Sequence, residues 1–165
     1  MYRFTFGITF TPAMQLRDFF SRDAVSLELS ATAKPAAIEE MIGLLGVDPE
    51  IATTLRKLLD RREELGSTGV GRGIAIPHCR ASVIPQLRLA YGRVSAEGGI
   101  SYDAIDKQPV HHLFLIVAPP VEVSNLYLPV LGRLAQFAKG DDIPDRLAAL
   151  TSPDQFFALL DERAA

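Results

Sequence analysis

Apolar and polar positions along this chain follow two different periods, and the places where the period changes mark its elements. Ile38, Met41, Ile42 and Leu45 fall at i, i+3, i+4 and i+7, which gives one face of a helix. Gly46 follows where a helix C-terminal glycine belongs. Asp48-Pro49 offers a cap and a first-turn proline to the next helix, whose buried stripe is Ile51, Leu55, Leu58 and Leu59. Gly66 closes it. Residues 25–29, 74–76, 87–94 and 110–117 read as strands. The last is almost continuously apolar, the pattern of a central strand covered on both faces. Residues 14–20 predict a short helix, 126–138 a longer one that carries Pro129, and 144–150 another. Ser152-Pro153-Asp154-Gln155 is a capping box with proline at the first helical position, opening a final helix. Strands and helices in alternation predict an α/β domain.

Composition narrows the function more than the fold. The 165 residues are 48% apolar and 22% charged, a globular balance that suits one core. A net charge of −3 without a long basic run gives no electrostatic footprint for nucleic acid. The one cysteine, Cys79, excludes an intrachain disulfide and suits a reducing compartment. No apolar run approaches the ~20 residues of a membrane span. Residues 1–13 contain Phe4, Phe6, Ile8 and Phe10, but Thr and Gly break the block and no small-x-small cleavage pattern follows. They are expected to be a dispensable extension before a domain at 14–165, in a cytoplasmic protein.

The candidate chemistry sits between residues 61 and 79. Gly66-Ser67-Thr68-Gly69-Val70-Gly71-Arg72-Gly73 has four glycines in eight residues, which permits positive φ and close backbone approach. No Gly-Lys-Ser/Thr follows, so it is not a nucleotide P-loop. Its glycine spacing misses the dinucleotide fingerprint, and a strand follows where a helix is needed. A tight helix-to-strand connection is the plain alternative. Pro77 lacks an N–H, so the strand is expected to end there and present His78 at its carboxyl end, where clefts in α/β sheets lie. Neutral imidazole is a competent nucleophile near pH 7; a histidine satisfied by loop hydrogen bonds is the alternative. His111 and His112 point to opposite faces of a strand and do not chelate one metal together. Cys79 reads more readily as a small hydrophobe than as a catalytic thiol. The run Arg61-Arg62-Glu63-Glu64 would ordinarily be a solvated helix end.

Taken together, Arg62-Glu63-Glu64-Leu65-Gly66-Ser67-Thr68-Gly69-Val70-Gly71-Arg72-Gly73-Ile74-Ala75-Ile76-Pro77-His78 resembles the active-site signature of the fructose/mannitol class of enzyme IIA domains of the bacterial phosphoenolpyruvate-dependent phosphotransferase system. The nitrogen-regulatory members are the most similar. Tyr102-Asp103-Ala104-Ile105-Asp106-Lys107-Gln108-Pro109-Val110 adds a second matching segment. The resemblance implies a three-layer α/β/α fold, with a central mixed β-sheet flanked by helices on both faces. It implies that His78 accepts a phosphoryl group from a histidine-containing phosphocarrier protein, with Arg62 as the active-site arginine. No cofactor is implied, because donor and acceptor are both imidazoles.

Phosphoryl transfer depends on in-line positioning and on neutralising equatorial oxygen charge. Arg62 can donate two parallel hydrogen bonds to those oxygens, and Ser67, Thr68 and loop N–H groups are expected to add neutral donors. The family usually has a second active-site histidine in a His-Leu segment beginning the helix after the central strand. The expected match is Asn125, in Ser124-Asn125-Leu126. A regulatory phosphocarrier is the leading expectation, since no transporter domain is fused to this sequence. A binding module without phosphotransfer, or a IIA subunit serving a separate sugar transporter, is the alternative.

Overall fold

The computed structural model of the chain describes residues 14–163, so the expectations for residues 1–13 lie outside it. A 3-10 turn at Leu16–Phe19 leads into β1 (Phe20–Leu29). Helices α1 (Lys34–Gly43) and α2 (Pro49–Glu64) follow, then the short strands β2 (Gly69–Gly71), β3 (Ile74–Ala75) and β4 (His78–Arg80). The longer strands β5 (Arg88–Val94) and β6 (His112–Ala118) complete the sheet. The chain then runs through α3 (Tyr127–Ala138), α4 (Ile143–Ala148) and α5 (Pro153–Glu162).

The sheet is mixed, in the order β1-β5-β6-β3-β2, with β4 also on β6. β1 runs parallel to β5, β5 antiparallel to β6, and β3 and β4 parallel to β6. β6 is buried along its whole length, and its side chains divide by the period of two. Leu113, Leu115 and Val117 enter one core with Ile38, Met41, Leu55 and Leu59 of α1 and α2. Phe114, Ile116 and Ala118 enter a second with Val130, Leu147 and Phe156 of α3, α4 and α5. These are the three layers expected from the sequence.

Four local expectations change. The 14–20 segment forms one 3-10 turn, and β1 starts at Phe20 rather than at residue 25. Among the described residues β1 pairs with β5 alone, and its first residues, Ser21 to Asp23, are exposed and carry no apolar signature. The glycine loop contains strand β2, paired antiparallel with β3. Pro77 does not end the strand line: Ala75 pairs with Leu113 and His78 with Ile116, three residues on along each chain. The missing proline N–H costs nothing, because Ile76 N–H bonds back to Thr68 and the Pro77 carbonyl accepts from Ile116 at 3.0 Å. Finally, α3 begins at Tyr127, which puts Pro129 in the first turn, where a helix needs no proline N–H.

Candidate functional site

Helix α2 ends beside the start of β4, and its last turn supplies two side chains to the space between them. Arg61 and Glu64 face solvent, while Arg62 and Glu63 turn inward. A run that reads as a solvated helix end is therefore solvated on one side only. Arg62 Nη1 donates to the Gly66 carbonyl at 2.8 Å, which anchors the guanidinium over the helix C-terminus. Its Nε donates to His78 Nε2 at 3.3 Å.

His78 is held from its other edge. Its Nδ1 lies 2.7 Å from the Ile76 carbonyl. A carbonyl only accepts, so the proton of the neutral ring is on Nδ1 and the lone pair is on Nε2. Partial burial is the main cause that holds the imidazole below its ordinary pKa of 6.5; the Ile76 bond opposes it, and the Arg62 charge adds to the lowering. The ring is thus kept neutral, with its nucleophilic nitrogen aimed at a guanidinium.

Glu63 was missed as a site residue by its pattern. Its carboxylate is almost fully buried and pairs with Lys34 Nζ at 2.6 Å. It also accepts from the Thr68 N–H at 3.1 Å, from the Thr68 hydroxyl and from the Tyr102 hydroxyl at 3.3 Å. Lys34 is the first residue of α1 and lies over the Tyr102 ring. This network ties both helices to the 102–104 segment behind His78. It also occupies the hydroxyls expected to face a ligand: Thr68 is buried on Glu63, and Ser67 Oγ donates to the Tyr102 carbonyl at 2.9 Å. Both residues shape the loop.

Gly69 shows why this loop is glycine-rich. A Cβ there would lie 2.7 Å from Ala104 Cβ and 2.8 Å from Ala104 Cα. Gly71 and Gly73 take positive φ at the β2–β3 turn, whose Arg72 N–H donates to Asp106 at 2.8 Å. The two matching segments of the sequence are therefore in contact.

The Tyr127 ring also approaches His78, with centroids 6.0 Å apart. Asn125 is exposed in the loop before α3. Arg80, two residues along β4, lies over the Tyr127 ring at 4.4 Å and donates to the Pro119 carbonyl at 3.0 Å.

Cys79 points into the α1–α2 core, and burial pushes its thiol up to about 12, which rules out a thiolate nucleophile near neutrality. His112 is buried with its Nδ1 2.9 Å from the Tyr91 hydroxyl. Among the described residues, no group of three or more His, Cys, Asp or Glu side chains is arranged to hold a metal ion.

Comparison with known proteins agrees with this fold. A nitrogen regulatory protein of Klebsiella oxytoca is 30% identical over 154 residues, covering 91% of this chain and 92% of that protein. The fructose-specific EIIABC component of Bacillus subtilis is 26% identical over 90% of this chain, which spans only 23% of that longer protein. The crystal structure of the nitrogen regulatory protein IIA-Ntr from Neisseria meningitidis superposes with a TM-score of 0.78 at 29% identity, covering 87% of this chain and 97% of that one. The family model described as "Phosphoenolpyruvate-dependent sugar phosphotransferase system, EIIA 2" matches residues 18–163, nearly everything the structure describes. The chain belongs to that EIIA family and is a phosphotransferase-system component.

Proposed function

We infer that the protein carries a phosphoryl group on His78 Nε2, received from a histidine-containing phosphocarrier protein. The observation that supports this best is the pair of bonds on one imidazole. Ile76 fixes the tautomer through Nδ1, and Arg62 meets the free Nε2. In the transfer, the phosphorus–nitrogen bond of the donor phosphohistidine breaks as the bond from phosphorus to His78 Nε2 forms. The electron pair of the broken bond stays on the donor ring. Arg62 exchanges its contact with Nε2 for the equatorial oxygens, where its fork geometry neutralises charge. No nucleotide or metal enters this step.

Exposed apolar side chains lie in the two matching segments and around the start of α3. Leu65 and Ile105 are 86% and 81% exposed, and Val70, Val121, Val123 and Leu128 are also open. Such side chains suit docking of another protein, whose imidazole must come within bonding distance of His78. Similarity to nitrogen regulatory proteins supports a regulatory phosphocarrier in the cytoplasm, with a IIA subunit serving a separate sugar transporter as the second reading. Among the described residues, no helix is long and apolar enough to cross a membrane.

The test is incubation with phosphoenolpyruvate, enzyme I and the phosphocarrier protein, followed by intact mass measurement in alkali. The expected result is a gain of one phosphoryl group. An unmodified mass under conditions that phosphorylate a known IIA domain would leave the protein as a binding module only.

A further inference from the structure

A phosphoryl group on His78 Nε2 would present three oxygens, and Arg62 approaches the ring from the end of α2. A second approach comes from α3 and the loop that precedes it. There the Tyr127 ring lies 6.0 Å from the His78 ring, tilted by 52°. Tyr127 is the first residue of α3, so its place depends on where that helix starts.

Three features fix it. Arg80 shares the β4 face of His78 by the period of two, and its guanidinium stacks on the tyrosine ring at 4.4 Å. The same guanidinium donates from Nη1 to Pro119 and Ser124 carbonyls, at 3.0 and 3.5 Å, and so holds the 119–126 loop against β4. Leu126 N–H bonds to Ser124 Oγ at 3.3 Å just before the helix, and the Leu126 carbonyl receives the first helical bond from Val130.

The Tyr127 hydroxyl is a proton donor throughout the physiological range. Burial raises its pKa above the ordinary phenol value, with Arg80 and Arg62 acting in the opposite direction. Both guanidiniums thus act on the tyrosine.

We propose that Tyr127 is a phosphoryl-binding residue whose hydroxyl donates a hydrogen bond to the phosphoryl group on His78, in addition to Arg62. This rests on the assignment of His78 as acceptor. It moves the second donor of the site from Asn125 to a phenol held by Arg80. A phenol cannot become cationic near pH 6, so the pocket gains a hydrogen bond but no added charge as the medium is acidified.

The decisive variants are Tyr127→Phe, which keeps the ring and removes the hydroxyl, and Tyr127→His, which returns a donor. Three quantities are read: the single-turnover rate of phosphorylation, the phosphohistidine half-life, and the phosphoryl titration followed by phosphorus NMR. A donor bond stabilises the dianion and lowers its proton affinity, so Tyr127→Phe should titrate at higher pH. Its rate and half-life should each fall about tenfold, the scale of one hydrogen bond to a charged group. Tyr127→His should recover most of both losses. A titration unchanged in Tyr127→Phe overturns the proposal, as does an Asn125→Ala variant that loses as much as Tyr127→Phe. A purely structural role for the ring would lower thermal stability in Tyr127→His as well, without moving the phosphorus titration. If the unsubstituted protein takes no phosphoryl group, the assignment of His78 fails first; if it does and Tyr127→Phe matches it throughout, only the role of Tyr127 fails.

Discussion

Arg62 Nε and His78 Nε2 lie 3.3 Å apart, sixteen residues distant in sequence, with the nitrogen on His78 free of its proton. The contact joins the last turn of a helix to the first residue of a strand. Everything between them serves to bring those two atoms together: Gly66, the folded loop, and the Pro77 carbonyl held by β6.

The guanidinium is expected to act by its shape as much as by its charge. A lysine keeps the positive sign but offers a point charge in place of two parallel donors. Arg62→Lys should slow single-turnover phosphorylation, and Arg62→Ala should slow it further, by roughly 10²-fold or more. Unchanged rates in both variants would remove Arg62 from the reaction.

The neutral state of His78 has a sign that can be checked. Burial lowers its pKa and the Arg62 charge lowers it further, so the ring should titrate below 6.5. Imidazole NMR shifts recorded between pH 4 and 8 measure this, and Arg62→Ala should move the midpoint upward. A midpoint at or above 6.5 in the unsubstituted protein would contradict the described environment. As neutral imidazole is the nucleophile, the decline of acceptance on acidification should come at lower pH than for an unperturbed imidazole.

Glu63 carries the structural load behind the site. Its carboxylate holds Lys34, the Thr68 N–H and hydroxyl, and the Tyr102 hydroxyl. Glu63→Ala leaves a partly buried lysine and a buried hydroxyl without their acceptor, and about 3 kcal/mol of stability should be lost. Denaturant unfolding measures the difference. A loss under about 0.5 kcal/mol would mean the pair is worth no more than a surface salt bridge.

Gly69 is expected to tolerate no side chain. The atoms a Cβ would meet include Ala104 Cα, which is backbone and cannot rotate away. Gly69→Ala should cost about 1–3 kcal/mol in overpacking. It should also slow phosphorylation, since the adjacent Thr68 carbonyl holds Ile76, whose own carbonyl orients His78. Wild-type stability with wild-type rate would show that the 102–104 segment yields easily.

Much of this was legible in the sequence, and the gaps have physical causes. The all-apolar run at β6 announced a central strand, and the 3.6-residue stripes located α1 and α2. The polar start of β1 carried no pattern because an edge strand buries so little there. Asn125 is matched to the family's second histidine with the helix expected from residue 126. The helix opens at Tyr127-Leu128, and Pro129 was the available clue, since proline fits a first turn better than an interior. Glu63 stayed hidden because a charged residue beside three others looks solvated until its neighbours in space are known.

The most direct measurement compares phosphoryl incorporation into the unsubstituted protein and into His78→Ala, under identical incubation with phosphoenolpyruvate, enzyme I and the phosphocarrier protein. Intact mass in alkali should show one phosphoryl group on the first and none on the second, with both proteins folded. A phosphoryl group retained by His78→Ala, on His111 or His112, would contradict the assignment.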